Sequence, residues 1–150
     1  MKQILIATDG SPSAQDAVGV GLELAKEQGA DVTFVHVTDP DEFKGGRGGT
    51  HAITHTEEVD DSETVLKAAG HAAAEAGVSY ALERIAGNTV ESIVALADEK
   101  DADMIVIGSR GRHTITTALL GSISLGVLRH AGVAVFGPGA AAAQIEGSKP

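Results

Sequence analysis

The chain has 150 residues, room for one domain with a real core, and its 21 acidic against 11 basic side chains leave a net charge of −10. That balance argues against DNA or RNA as a partner, because phosphate backbones are held by surplus Lys and Arg. The absence of cysteine excludes a disulfide framework and thiolate chemistry.

No run approaches the ~18 apolar residues of a membrane span. Met1-Lys2 passes at once into a short strand-like run, not a signal peptide, so a soluble cytoplasmic protein with no membrane partner is expected. Two readings of the acidity stay open: plain solubility, or a surface suited to a high-salt cytoplasm. Apolar residues make up 43% of the chain, yet only four are aromatic: Phe34, Phe43, Tyr80 and Phe136. The core must therefore be Val, Ile, Leu and Ala, as in a parallel sheet covered by helices.

Lys2 to Thr8 reads as the first strand. Ser11 and Pro12 open a helix as N-cap and first helical residue, and Gly29 closes it. Ala14, Ala17, Val18, Gly21, Leu24 and Ala25 give that helix one apolar face. Asp31 to Thr38 is the second strand. Residues 39–56, with Gly45-Gly46-Arg47-Gly48-Gly49, read as a long loop, a lid or a disordered segment.

Glu57 to Ala76 is the second helix, and its acidic run Glu57 to Asp61 reads as a solvated helix start. Val78 to Ala86 is the third strand. Asn88 caps a third helix running to about Lys100, and residues 103–107 form the fourth strand. A helix from Ser122 to His130 and a last strand near 132–136 complete the alternation. The order β-α-β-α-β-α-β-α-β implies an α/β fold with a mostly parallel sheet and helices on both faces. Ligands in such sheets bind beyond the carboxyl ends of the strands, where strand order reverses. If the first and fourth strands are neighbours, Thr8-Asp9-Gly10 and Gly108 border one crevice. The domain is expected to span 1–137, with 138–150 a disordered Gly/Ala-rich tail.

Gly108, Gly111, Gly121 and Ser122 form a signature, Gly-x2-Gly-x9-Gly-Ser, directly after the apolar run Met104-Ile105-Val106-Ile107. A glycine-rich turn between a strand and a helix N-terminus is a ready anion site, because free N–H groups and the helix dipole both favour phosphate. Ile123 and Ser124 add further N–H groups. Arg110, Arg112 and His113 form a basic cluster between the glycines, suited to a polyphosphate. Neither the P-loop pattern nor Gly-x-Gly-x-x-Gly after a strand occurs. Ordinary glycine punctuation of a solvated loop is the plainer alternative.

The segments ILIATDGSPSA at 4–14, TFVHV at 33–37, and DMIVIGSRGR with LLGSISLGVLRHAGVAV within 103–135 together resemble the universal stress protein family, over nearly the whole chain. The resemblance implies a Rossmann-like three-layer α/β/α fold with a five-stranded parallel sheet of order 3-2-1-4-5. It also implies bound ATP, with Mg2+ or Mn2+ held through the phosphates, and a homodimer built through the last strand. By that likeness Ala7, Thr8 and Asp9 touch adenosine, and Asp9 bonds the ribose or a metal. Val37 offers its backbone to the adenine edge, and Ile107 lies beside the nucleoside. Gly108, Arg110, Gly111, Gly121, Ser122, Ile123 and Ser124 take the ribose and phosphate contacts. Arg110 stands where the family often has His. Gly132 to Gly137 is a weaker strand than the family's usual Cys-Pro and apolar run.

Asp9 is read as a binding residue, with a catalytic or turn role as alternatives. His51 and His55 have metal-like spacing but sit in a glycine-rich loop and read as solvated. His36 reads as a core or interface residue, and His71 and His130 as helix-surface residues. Ser122 has no Asp–His pair to make it a nucleophile. The expected function is an ATP-binding stress or regulatory protein with no catalytic residues assigned and at most slow hydrolysis. Two alternatives remain. One is a phosphoryl- or adenylyl-transfer enzyme relying on Asp9 with Arg110 or Arg112; the other is a nucleotide-free dimeric interaction module.

Overall fold

The computed structural model describes residues 1–40, 52–108, 122–132 and 134–136. Its elements are β1 (Gln3–Ala7), α1 (Pro12–Gln28), β2 (Asp31–Thr38), α2 (Ala52–Ala76), β3 (Tyr80–Ala86), α3 (Thr89–Glu99), β4 (Met104–Ile107), α4 (Ser122–His130) and β5 (Ala134–Phe136). The five strands form one sheet in the order β3-β2-β1-β4-β5, and every pair is parallel. The sheet order implied by the family resemblance is therefore the observed one.

Local chemistry explains the helix limits. The Ser11 side chain accepts the Ala14 N–H at 3.2 Å, Pro12 occupies the first turn, and Gly29 ends α1 at φ 66° while its N–H bonds the Ala25 carbonyl. An αL residue at this position suits glycine, which has no Cβ to clash. Asn88 caps α3 in the same way as Ser11 caps α1, accepting the Glu91 N–H at 2.9 Å.

Two corrections follow. Residues 52–56 belong to α2 and not to a loop. The glycine-rich stretch ends at Gly49, and nothing from Thr50 to Thr56 is Gly or Pro, so no breaker stands in the way of the helix, at an intrinsic cost of about 0.5 kcal/mol per residue relative to Ala. The acidic run at 57–61 consequently lies beyond the first turn of α2. On α1, Leu22 is the fully buried leucine and Leu24 packs only partly, because the stripe of Ala14, Val18, Leu22 and Ala25 faces the sheet. The remaining strand limits differ from the expected ones by one or two residues, the ordinary uncertainty of element ends.

The sheet separates two cores. On one face Ile4, Ile6, Val32, Phe34 and Val106 pack with α1 and α2 through Ala17, Leu22, Leu66 and Ala73. On the other, Leu5, Ala7, Val35, Ile105 and Ile107 pack with α3 and α4 through Ile93, Leu96 and Val127. Burying each Val, Leu, Ile or Phe among them contributes about 1.5–3 kcal/mol. Small residues set the layer spacing. A Cβ at Gly21 would lie 2.5 Å from the Ile6 Cδ1, and one at Gly126 would lie 2.8 Å from a Val90 methyl.

At the amino end of the sheet, the Asp103 carboxylate accepts the N–H groups of Lys2 and Gln3 at 2.7 and 3.0 Å. These two bonds, first Lys2 and then Gln3, hold its pKa below the ordinary carboxylate value.

Candidate functional site

Chain β1-α1-β2 crosses one face of the sheet, and β4-α4-β5 crosses the other. The reversal falls between β1 and β4, which are paired in register Ala7↔Ile107. In parallel α/β sheets a reversal of this kind is where ligands bind, beyond the carboxyl ends of the strands. The condition set for one crevice between Thr8-Asp9-Gly10 and Gly108, that the first and fourth strands be neighbours, is met.

The β1 side of the crevice is a tight, internally bonded turn. The Thr8 N–H continues the sheet by donating to the Val35 carbonyl at 3.0 Å. The Thr8 hydroxyl accepts the Gly10 N–H at 3.3 Å, and the Asp9 carboxylate accepts the Ser11 N–H at 2.9 Å. Gly10 adopts φ 82°, which reverses the chain into α1. Asp9 is half-buried and Thr8 is buried. The turn role of Asp9 is thus observed.

The β4 side runs directly against α1. A Cβ on Gly108 would lie 2.7 Å from the Ser13 Oγ and 2.9 Å from the Ser13 carbonyl carbon and oxygen. Only glycine allows the chain to pass here, so the first turn of α1 and the end of β4 form one continuous wall. Sequence reasoning placed Gly108 in the site but did not single out Ser13, its structural counterpart; the quoted segment 4–14 contained it without a signal to distinguish it.

Ala7, Ile107, Val37 and Ile123 all fall on the α3/α4 face. Ala7 and Ile107 are buried in that core, and Val37 and Ile123 pack against it half-buried. The adjacency β2-β1-β4 brings Val37, Ala7 and Ile107 to neighbouring strand ends. Ser122 and Ser124 lie in the first turn of α4. Arg110, Gly111 and Gly121 lie outside the described residues, as do Arg112, His113, His51 and the tail 138–150. Among the described residues no group of three or more His, Asp or Glu side chains could hold a metal ion, and no helix is long and apolar enough to cross a membrane.

On β2, His36 is buried and its Nδ1 lies 2.7 Å from the Ser62 hydroxyl of α2, which also lies 3.4 Å from the Thr38 hydroxyl. The core reading of His36 holds, but its partner was not legible in sequence, since 26 residues separate the two. His71 and His130 are exposed on helices as expected; His71 pairs with Glu75, and the His130 Nδ1 bonds the Gly126 carbonyl.

Comparison with known proteins agrees with this geometry. The model of the universal stress protein family matches residues 1–136. A universal stress protein of Methanocaldococcus jannaschii is 33% identical over 132 residues, covering 87% of this chain and 77% of the relative. A solved universal stress protein in complex with cAMP superposes with TM-score 0.69 at 26% identity, covering 90% of this chain and 94% of that one. The universal stress protein of Archaeoglobus fulgidus in complex with dAMP gives TM-score 0.66 at 25% identity, with 90% and 95% covered. The sheet order and these matches together place the chain in the universal stress protein family.

Proposed function

We propose that this protein binds an adenine nucleotide, ATP with Mg2+ or Mn2+ held through its phosphates, and acts as a nucleotide-dependent regulatory protein of the stress response in the cytoplasm. The observation that carries the reading is the approach of Gly108 to Ser13, which brings the end of β4 against the first turn of α1 at the switch point between β1 and β4. The solved neighbours bound to cAMP and dAMP support the adenine class.

In this reading Ala7, Thr8 and Asp9 border the nucleoside from β1, Val37 from β2 and Ile107 from β4. Gly108, Arg110, Gly111, Gly121, Ser122, Ile123 and Ser124 surround the ribose and phosphates. Phosphate at the start of α4 would meet free N–H groups and the positive end of the helix dipole. The Asp9 carboxylate already accepts the Ser11 N–H, which suits a fixed hydrogen-bond acceptor for a ribose hydroxyl better than a mobile base. No general base is assigned, so turnover is slow at most. The domain spans 1–137, and two copies associate through the last strand.

Mass spectrometry of small molecules released from the purified protein tests the class of ligand. An adenine nucleotide in near-stoichiometric amount is the expected result. Release of a guanine nucleotide or a flavin in its place would overturn the assignment.

A further inference from the structure

Strand β3 forms one end of the sheet, and among the described residues no strand pairs with its outer side. Three large hydrophobic residues of the described chain are exposed: Met1, Tyr80 and Leu82. Two of the three therefore sit two residues apart on this single edge. They share the face that carries Val32 and Phe34, with which they are in register.

Tyr80 is exposed but held. A Cβ on Gly70 of α2 would lie 2.8 Å from the Tyr80 ring, and the ring meets Phe34 edge-on at 6.3 Å and 60°. Such an aromatic is already ordered, and association need not pay again for its rotamer. Glu83 points to the opposite face, where it pairs with Lys100 of the α3 cap at 3.3 Å.

The main chain selects how a partner strand would bind. The Val32 N–H donates to the Ser79 carbonyl, and the Gly87 N–H donates to the Thr38 carbonyl. In a parallel ladder this alternation turns the odd-numbered residues of 79–87 toward β2. The N–H and C=O groups of Tyr80, Leu82, Arg84 and Ala86 consequently turn to the outer edge. An antiparallel partner would form its hydrogen-bonded pairs between such outward residues, with opposed side chains on one face.

For two identical strands related by a two-fold axis, the three central registers, on Leu82, Glu83 and Arg84, meet this condition. Those centred on Glu83 and on Arg84 each set two like charges directly opposite each other, which is destabilising. The third centres on Leu82. It sets Leu82 against its own copy, Arg84 over Tyr80 on both sides of the axis, and Ala81 against Glu83. Apolar contact and two cation–π pairs then replace charge repulsion.

We propose that the β3 edge is a self-pairing surface, through which two copies of this chain join antiparallel about a two-fold axis at Leu82 and continue the sheet. This surface lies at the opposite end of the sheet from β5 and is independent of the nucleotide reading. The charge of −10 on each copy opposes the contact, so salt strengthens it by screening.

The chain has no cysteine, so a single introduced thiol reports the register directly. In the proposed pairing Leu82→Cys meets its own copy at a Cα separation of about 5.5 Å, within disulfide reach. Glu83→Cys does not meet itself. Under mild oxidation at high salt, Leu82→Cys should form a covalent dimer while Glu83→Cys stays uncrosslinked. In sedimentation across a concentration series, Leu82→Lys should lose one association step that the wild type shows, with nucleotide affinity retained. Equal crosslinking of both thiol variants, crosslinking of Glu83→Cys alone, or no crosslinking of either would overturn the proposal. Identical mass distributions for wild type and Leu82→Lys would do the same. Association through β5 alone leaves all four readouts on the overturning side.

Discussion

Replacing Gly108 by alanine would place a methyl group 2.7 Å from the Ser13 hydroxyl and 2.9 Å from the Ser13 carbonyl carbon and oxygen. The hydroxyl can rotate away, but the two backbone atoms belong to the first turn of α1 and cannot move without shifting the helix. Relief must come from separating β4 from α1 at the crevice itself. Forcing one extra methyl group into a packed contact of this kind costs about 1–3 kcal/mol. At about 1.4 kcal/mol per tenfold, that is roughly 5- to 150-fold in an equilibrium constant. The cost divides between global stability and the crevice, so two assays are needed. Urea unfolding should show a lower midpoint for Gly108→Ala, and nucleotide titration should show weaker binding. A Gly108→Ala, Ser13→Gly double variant should not recover, because the clashing backbone atoms remain. Wild-type stability together with wild-type nucleotide affinity in Gly108→Ala would refute the reasoning.

Gly19 gives the opposite expectation. It is exposed inside α1 with nothing within 4 Å of an added Cβ, so Gly19→Ala should raise stability by about 1 kcal/mol in urea unfolding. Ser62→Ala removes the hydroxyl 2.7 Å from the buried His36 ring and should cost about 1–3 kcal/mol by the same measurement. The Asp103 carboxyl has a lowered pKa in the folded state, so its contribution is present above the ordinary carboxylate value and is lost as pH falls through the lower, folded value. Asp103→Ala should therefore be less stable than wild type at neutral pH, and the two unfolding midpoints should converge as pH drops below about 4.

The sequence made the fold legible because local signals and the global pattern agree. Ser11-Pro12, Gly29 and Asn88 punctuate helices by capping chemistry that acts over three or four residues. The low aromatic content and the Val/Ile/Leu/Ala runs pointed to a buried parallel sheet, and β1, β2 and β4 are such runs. The start of α2 was misplaced because the segment before Glu57 is rich in Thr and His, modest helix formers beside a glycine-rich run, and carries no distinct start signal. Ser13 opposite Gly108, Ser62 against His36 and Asp103 across Lys2 and Gln3 are contacts between distant positions, and no spacing rule reaches them. The exposure of Tyr80 and Leu82 follows from the place of β3 at the end of the sheet, which alternation along one strand does not reveal.

Calorimetric titration of ATP, ADP, AMP and GTP in the presence of Mg2+, on wild type and on Gly121→Val, tests the central claim most directly. Saturable adenine-nucleotide binding by wild type, lost in a Gly121→Val protein that still unfolds cooperatively, is the predicted result. Absence of binding to every nucleotide, or equal binding by the folded variant, would contradict the account.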